Sequence, residues 1–120
     1  MHKEHDSLVR SLAEACRSGD LVALRDTLDA GVIAVCDSGG HLPAVPDSIH
    51  GAQDVARFAA ALLGERPDTE LSIEAVNGRS GLALRHTGQA IAVASIDVAH
   101  SEISALWIVL NPDKLRGWHR

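Results

Sequence analysis

The sequence predicts an α+β domain in which a curved antiparallel sheet wraps around N-terminal helices as a cone, leaving a cavity at one end. Three observations carry this prediction. Up to residue 64 the apolar residues recur mostly at helical spacing. From residue 69 the period drops to two, as in "ELSIEAVN". The period-two region is cut by turn signals at Asn77-Gly78, Thr87-Gly88 and "HSE" at 100–102, which gives four strands joined as a meander.

The first helix is marked by Leu8, Leu12, Ala15 and Cys16 and closed by "SGD" at 18–20. Gly19 suits a left-handed C-terminal position, and Asp20 can accept hydrogen bonds from the free N–H groups of the next helix. Leu21, Leu24 and Leu28 form the stripe of a second helix, with Gly31 as its stop. "VIAVC" at 32–36 is a β-branched run that reads as a strand, and the loop "DSGGHLPAVPDS" follows. A third helix over 51–63 presents Val55, Phe58, Ala59 and Leu62 on one face, with Gly64 behind it. The strands then run through "ELSIEAVN", "GLALRH", "AIAVASIDV" and "ISALWIVL".

A chain of 120 residues is a single-domain length, so 1–120 is read as one domain. Its 46% apolar and 22% charged residues are an ordinary globular balance. With Phe58, Trp107 and Trp118 the only aromatics, aliphatic side chains must fill the core. The net charge of −5, with basic residues scattered, argues against direct nucleic-acid binding, which needs a concentrated positive field. No apolar run spans a bilayer and "MHKEHDSLVRSL" has no signal-peptide core, so a cytoplasmic protein without membrane contact is expected. Cys16 and Cys36 have no metal or CxxC spacing and read as buried small hydrophobes. The seven histidines form no metal signature and are expected at the surface; no metal or cofactor motif is present.

The last two strands are apolar on both faces. Ile103, Ala105, Trp107 and Val109 point one way; Leu106, Ile108 and Leu110 point the other, and Leu106 and Ile108 are read as outward. A sheet wetted on one side alternates apolar with polar residues, so both faces should be covered. Helices cover one. A second copy is expected on the other, giving a homodimer through the sheet face.

Two motifs stand apart from this scaffold. In Asp37-Ser38-Gly39-Gly40-His41, consecutive glycines allow positive φ and bring N–H groups close to a neighbour, while Asp37 can accept hydrogen bonds from its own loop. The motif is therefore either a self-stabilised turn or a binding rim. In Asn111-Pro112-Asp113-Lys114-Leu115, Pro112 ends the strand and Asn111 or Asp113 can cap a short turn. Alternatively Asp113 and Lys114 are polar contacts to a partner, with Leu115 an apolar anchor.

These motifs and the element order resemble the SnoaL-like branch of the nuclear-transport-factor-2-like superfamily. More narrowly they resemble the C-terminal extension of a group of extracytoplasmic-function sigma factors, in which Asp-Gly-Gly-Gly follows the first strand and Asn-Pro-Asp-Lys-Leu the last. The likeness also runs through "ACRSGDL", "HGAQDVARF" and "VNGRSGLAL"; Ser38 replaces the first glycine, and His41 stands where a basic residue is usual. The resemblance implies a free-standing or excised regulatory module without promoter-reading helices. It implies a non-catalytic site at Asp37, Gly39, Gly40, His41, Asn111, Asp113 and Lys114, taking a small apolar ligand or a protein partner in the transcription machinery. The alternative, from the ketosteroid-isomerase and epoxide-hydrolase members, is an isomerase or hydrolase with Asp97 or Asp37 as base in the cone pocket, where His86 and Trp107 are further candidates.

Overall fold

The computed structural model describes residues 3–40 and 45–119. Helix α1 (Lys3–Ser18) buries His5, Val9, Leu12, Ala15 and Cys16 along one stripe. It ends as expected: Gly19 is left-handed, and the Gly19 and Asp20 amides close on the carbonyls of Cys16 and Ala15. The Asp20 carboxylate then caps α2 (Leu21–Thr27) by accepting from the Ala23 amide at 3.1 Å.

Helix α2 stops four residues before Gly31. Leu28 begins strand β1 (Leu28–Asp37), which carries a bulge between Leu28 and Ile33. The short β2 (Ser48–His50) pairs back on β1, and α3 (Ala52–Leu63) buries Val55, Ala56, Ala59 and Leu63. The meander follows as β3 (Thr69–Val76), β4 (Arg79–His86), β5 (Gln89–Ala99) and β6 (Glu102–Val109). Its turns put Asn77-Gly78, Thr87-Gly88 and His100-Ser101 at positive φ, the geometry that matches strand twist in two-residue hairpins.

The sheet order is β2-β1-β6-β5-β4-β3. The four meander strands are antiparallel, but β1 runs parallel to β6, so the sheet is mixed rather than wholly antiparallel. It is also open, with β2 and β3 as edges. Bulges at Leu28/Ile33, Leu84/Arg85 and Asp97/Val98 supply local twist and bending.

All three helices lie against one face, where Leu82, Leu84, Ala94, Ile96, Leu106 and Ile108 join the helical residues in the main core. Leu106 and Ile108 are each 1% exposed and belong to this helix-covered face, so the outward assignment made from sequence is corrected. The opposite, open face carries Ala105, Trp107 and Val109. The alternation had left the choice of face undetermined, because both sets are apolar.

The open face is not bare. After β6 the chain turns into α4 (Pro112–Leu115) and a 3₁₀ turn (Arg116–Trp118). Leu115 is buried in a second apolar cluster with Val76, Ala83, Ala90 and Val93, and Trp118 packs against it. This segment supplies part of the cover that the two-sided strands require.

Candidate functional site

Strand β1 ends at Asp37 and β6 ends next to it, because the two strands are parallel neighbours with Asp37 opposite Val109. That register brings the two sequence motifs together. The Leu110 amide donates to the Asp37 carbonyl at 2.7 Å, extending the pairing by one step. Pro112 then stops the ladder, and the Asn111 side chain caps α4 by accepting from the Asp113 amide at 3.1 Å. Lys114, on the first turn of α4, reaches back so that Nζ lies 2.6 Å from Oδ2 of Asp37. The other carboxylate oxygen accepts from the Gly39 amide at 3.0 Å.

Asp37 is thus shared between its own loop and the C-terminal segment. Its hydrogen bond from Lys114 holds the carboxyl below the usual aspartate range, with slight desolvation opposing and the Gly39 amide adding to the effect. Gly39 has φ +63 and lies so close to Asn111 that a Cβ there would sit 2.5 Å from Nδ2. The glycine is required twice, for its backbone conformation and for the approach of Asn111. Asp113 in turn accepts from Arg116 at 3.1 Å.

The Asp37–Lys114 pair is well exposed, with side chains 40% and 62% accessible. It stands beside an open depression lined by Cys36 to Gly40 and Val45 to Asp47. Asp37, Gly39, Gly40, Asn111, Asp113 and Lys114 therefore cluster at one end of the β1–β6 pair. His41 lies outside the described residues.

The three pocket candidates lie elsewhere. Asp97 and Trp107 are on the open face, where the Trp107 indole donates to Asp97 at 2.7 Å and Arg79 pairs with the same carboxylate at 2.9 Å. Trp107 is 45% exposed. His86 is exposed at the end of β4. Asp97 and Trp107 do not face the helix-covered side, because Asp97 pairs across with Ala105 on the strand face opposite Leu106; His86 alternates onto the face of Leu84 but stands exposed at the strand end. On the helix side, Arg17, Leu63, Leu71 and Leu84 help to line a cavity of about 190 Å³. That is below the roughly 300–1,000 Å³ of a typical small-molecule site.

Sequence reasoning missed the most buried charge. Arg85 is 4% exposed and forms a two-pronged pair with Glu74, one prong being Nη2 to Oε1 at 2.9 Å. Its Nε donates to the Trp118 carbonyl at 2.8 Å, and Nη1 also reaches Ser72. Glu74 raises the guanidinium's pKa, while burial opposes it. Beside this, the Ala90 amide donates to Nδ1 of His119 at 2.9 Å. Leu115, read as an anchor for a partner, is instead 2% exposed against its own sheet. The signal for Arg85 was its place in the otherwise apolar "GLALRH". His5 is likewise buried rather than at the surface, with Nε2 2.8 Å from the Ser80 carbonyl.

No family model matches the chain. Among curated proteins it is 28% identical over 125 residues to the extracytoplasmic-function RNA polymerase sigma factor SigJ of Mycobacterium tuberculosis, covering 94% of this chain and 39% of the sigma factor. The crystal structure of that sigma factor superposes with a TM-score of 0.67 and 26% identity, over 96% of this chain and 45% of the other. A nuclear-transport-factor-2-like protein of unknown function from Burkholderia xenovorans gives a TM-score of 0.63 at 13% identity, over 91% and 84% of the two chains. An epoxide hydrolase from M. tuberculosis gives 0.59 at 12%, over 98% and 90%. The chain thus spans less than half of the sigma factor it matches. It has the nuclear-transport-factor-2-like fold, and its structural neighbours include the C-terminal domain of that sigma factor.

Proposed function

We propose that this chain is a non-catalytic regulatory module whose binding surface is the loop–tail site at Asp37–Gly40 and Asn111–Lys114. The observation that carries the reading is the 2.6 Å contact between Lys114 and Asp37, which joins two distant motifs into one exposed polar surface. An exposed ion pair adds little to stability, so the pairing of these two motifs is better accounted for by recognition. Exposed charges arranged in register set partner choice and association rate instead. By analogy with the sigma factor, the partner is a protein of the transcription machinery.

A second copy on the uncovered part of the open face, around Ile33, Val35 and Trp107, is the proposed dimer contact. Trp107 carries the apolar area and the hydrogen-bonded edge that such contacts favour. A small apolar ligand fits this reading less well than a protein, because the depression at the loop–tail site is open and lined largely by polar groups of Asp37, Ser38 and Asp47. The isomerase or hydrolase alternative asks for an enclosed carboxylate. Asp37 and Asp97 are both about two-fifths exposed and engaged by a cation.

The test is biolayer interferometry of the full chain against the part of the M. tuberculosis sigma factor outside the matched region, and against core RNA polymerase. The reading expects saturable binding to one of them that Asp113→Ala and Lys114→Ala weaken more than they lower the melting temperature. Binding to neither, or variants that only lower the melting temperature, would make the motif structural.

A further inference from the structure

The segment 111–119 is held at two places that belong to different parts of the fold. Its first half is pinned to the Gly loop, by Lys114 on Asp37 and by Asn111 against Gly39. Its second half is pinned across the open face of β4 and β5. There Arg85 donates to the Trp118 carbonyl, the Ala90 amide donates to His119, and Leu115 fills the cluster formed by Val76, Ala83, Ala90 and Val93.

That cluster is separate from the main core. The segment is joined to the sheet through a single strand end at Pro112, which cannot extend the ladder. It can therefore leave without unfolding the helix-covered side. Ala83 is 0% and Val93 4% exposed, in the cluster to which Leu115 and Trp118 belong.

We propose that residues 111–119 are a two-anchor strap over the open sheet face, and that loosening the anchor at the Gly loop uncovers the apolar patch on β4 and β5. One rigid turn of α4 connects the two anchors, since Lys114 and Leu115 are adjacent. A partner that takes Asp37 or Lys114 for itself would thus act at a distance on Ala83 and Val93. This rests on the proposed binding site only for its trigger; the strap itself is tested without any partner.

The experiment is amide hydrogen exchange followed by NMR on the full chain. The Ala90 amide reports the strap, because its acceptor is His119. The Val55 amide, bonded to the Gly51 carbonyl at the start of α3, reports opening on the helix-covered side. Lys114→Ala removes the loop anchor at an exposed position and is expected to speed Ala90 exchange about two- to fivefold, the range of an exposed ion pair, with Val55 unchanged. Leu115→Ser sets the scale of a fully open strap and is expected to speed Ala90 further, again sparing Val55. Unchanged Ala90 exchange in either variant overturns the proposal, and so does equal acceleration of Ala90 and Val55.

Discussion

Replacing Arg85 with Met removes a buried cation while keeping most of the side-chain volume. The arginine is 4% exposed, and its partner Glu74 retains 14%, so the carboxylate left behind is largely cut off from water. Breaking a buried pair from one side is destabilising by about 3–5 kcal/mol, because the remaining charge is uncompensated. Glu74 keeps a hydrogen bond from Ser72 and some hydration, which places this case near about 3 kcal/mol. The Trp118 carbonyl also loses its donor. Against a total stability of about 5–15 kcal/mol, such a loss shifts the urea midpoint far outside experimental error. Adding Glu74→Leu to Arg85→Met should recover most of it, since a well-packed apolar pair substitutes for a buried ion pair with little penalty. Urea unfolding followed by circular dichroism measures these two variants and Glu74→Leu alone in one cycle. An Arg85→Met protein within about 1 kcal/mol of the parent, at unchanged m-value, would refute the argument, because that is the level of an exposed pair.

Four further outcomes follow from the geometry. Leu106→Lys with Ile108→Lys places two ammonium groups in the helix-covered core, where truncation of a leucine alone is destabilising by about 2–5 kcal/mol; loss of the cooperative unfolding transition is expected. Trp107→Lys on the open face should stay folded, and a shift from dimer to monomer in analytical ultracentrifugation would place the proposed contact there. Burial pushes the Cys16 thiol up to about 12, against a smaller opposing effect of Arg17, and raises Cys36 as well, with Asp47 adding to it. Cys16 should not react with a disulfide reagent at pH 8 until denaturant is added; its rapid labelling in the native protein would contradict its burial. Because Asp37 is more acidic folded than unfolded, its contribution is fully present above the ordinary aspartate range and is lost as the pH falls through the lower folded value. A pH titration of the Gly39 amide by NMR should show that loss, and Lys114→Ala should move the midpoint upward.

Much of the architecture was legible because local chemistry and global fold agree. Gly19 and Asp20 dictate the break between α1 and α2, and Asn77-Gly78 fixes the β3–β4 register from which the opposition of Glu70 and Arg85 follows. The parallel pairing of β1 with β6 was not legible. It depends on which strand edge β1 meets, and no local signal encodes that choice. The side assignment of β6 failed for a related reason: Leu106 and Trp107 are both apolar, so alternation cannot say which meets the helices. The site divides in the same way. Asp37, Gly39, Asn111 and Lys114 were found as motifs, but their contact required the β1–β6 neighbourhood. Leu115, Trp118 and Arg85 were missed as a unit because the segment that covers the open face lies in the chain itself, where a second copy had been expected.

The central claim is that the Gly loop and the C-terminal segment act as one binding surface through Asp37 and Lys114. A double-mutant cycle with Asp37→Asn and Lys114→Ala, read as affinity for the part of the sigma factor outside the matched region, tests it most directly. The account predicts that each variant weakens binding and that the double variant is no worse than the product of the two, with clear coupling between them. Full affinity in the double variant, with the fold intact, would contradict it.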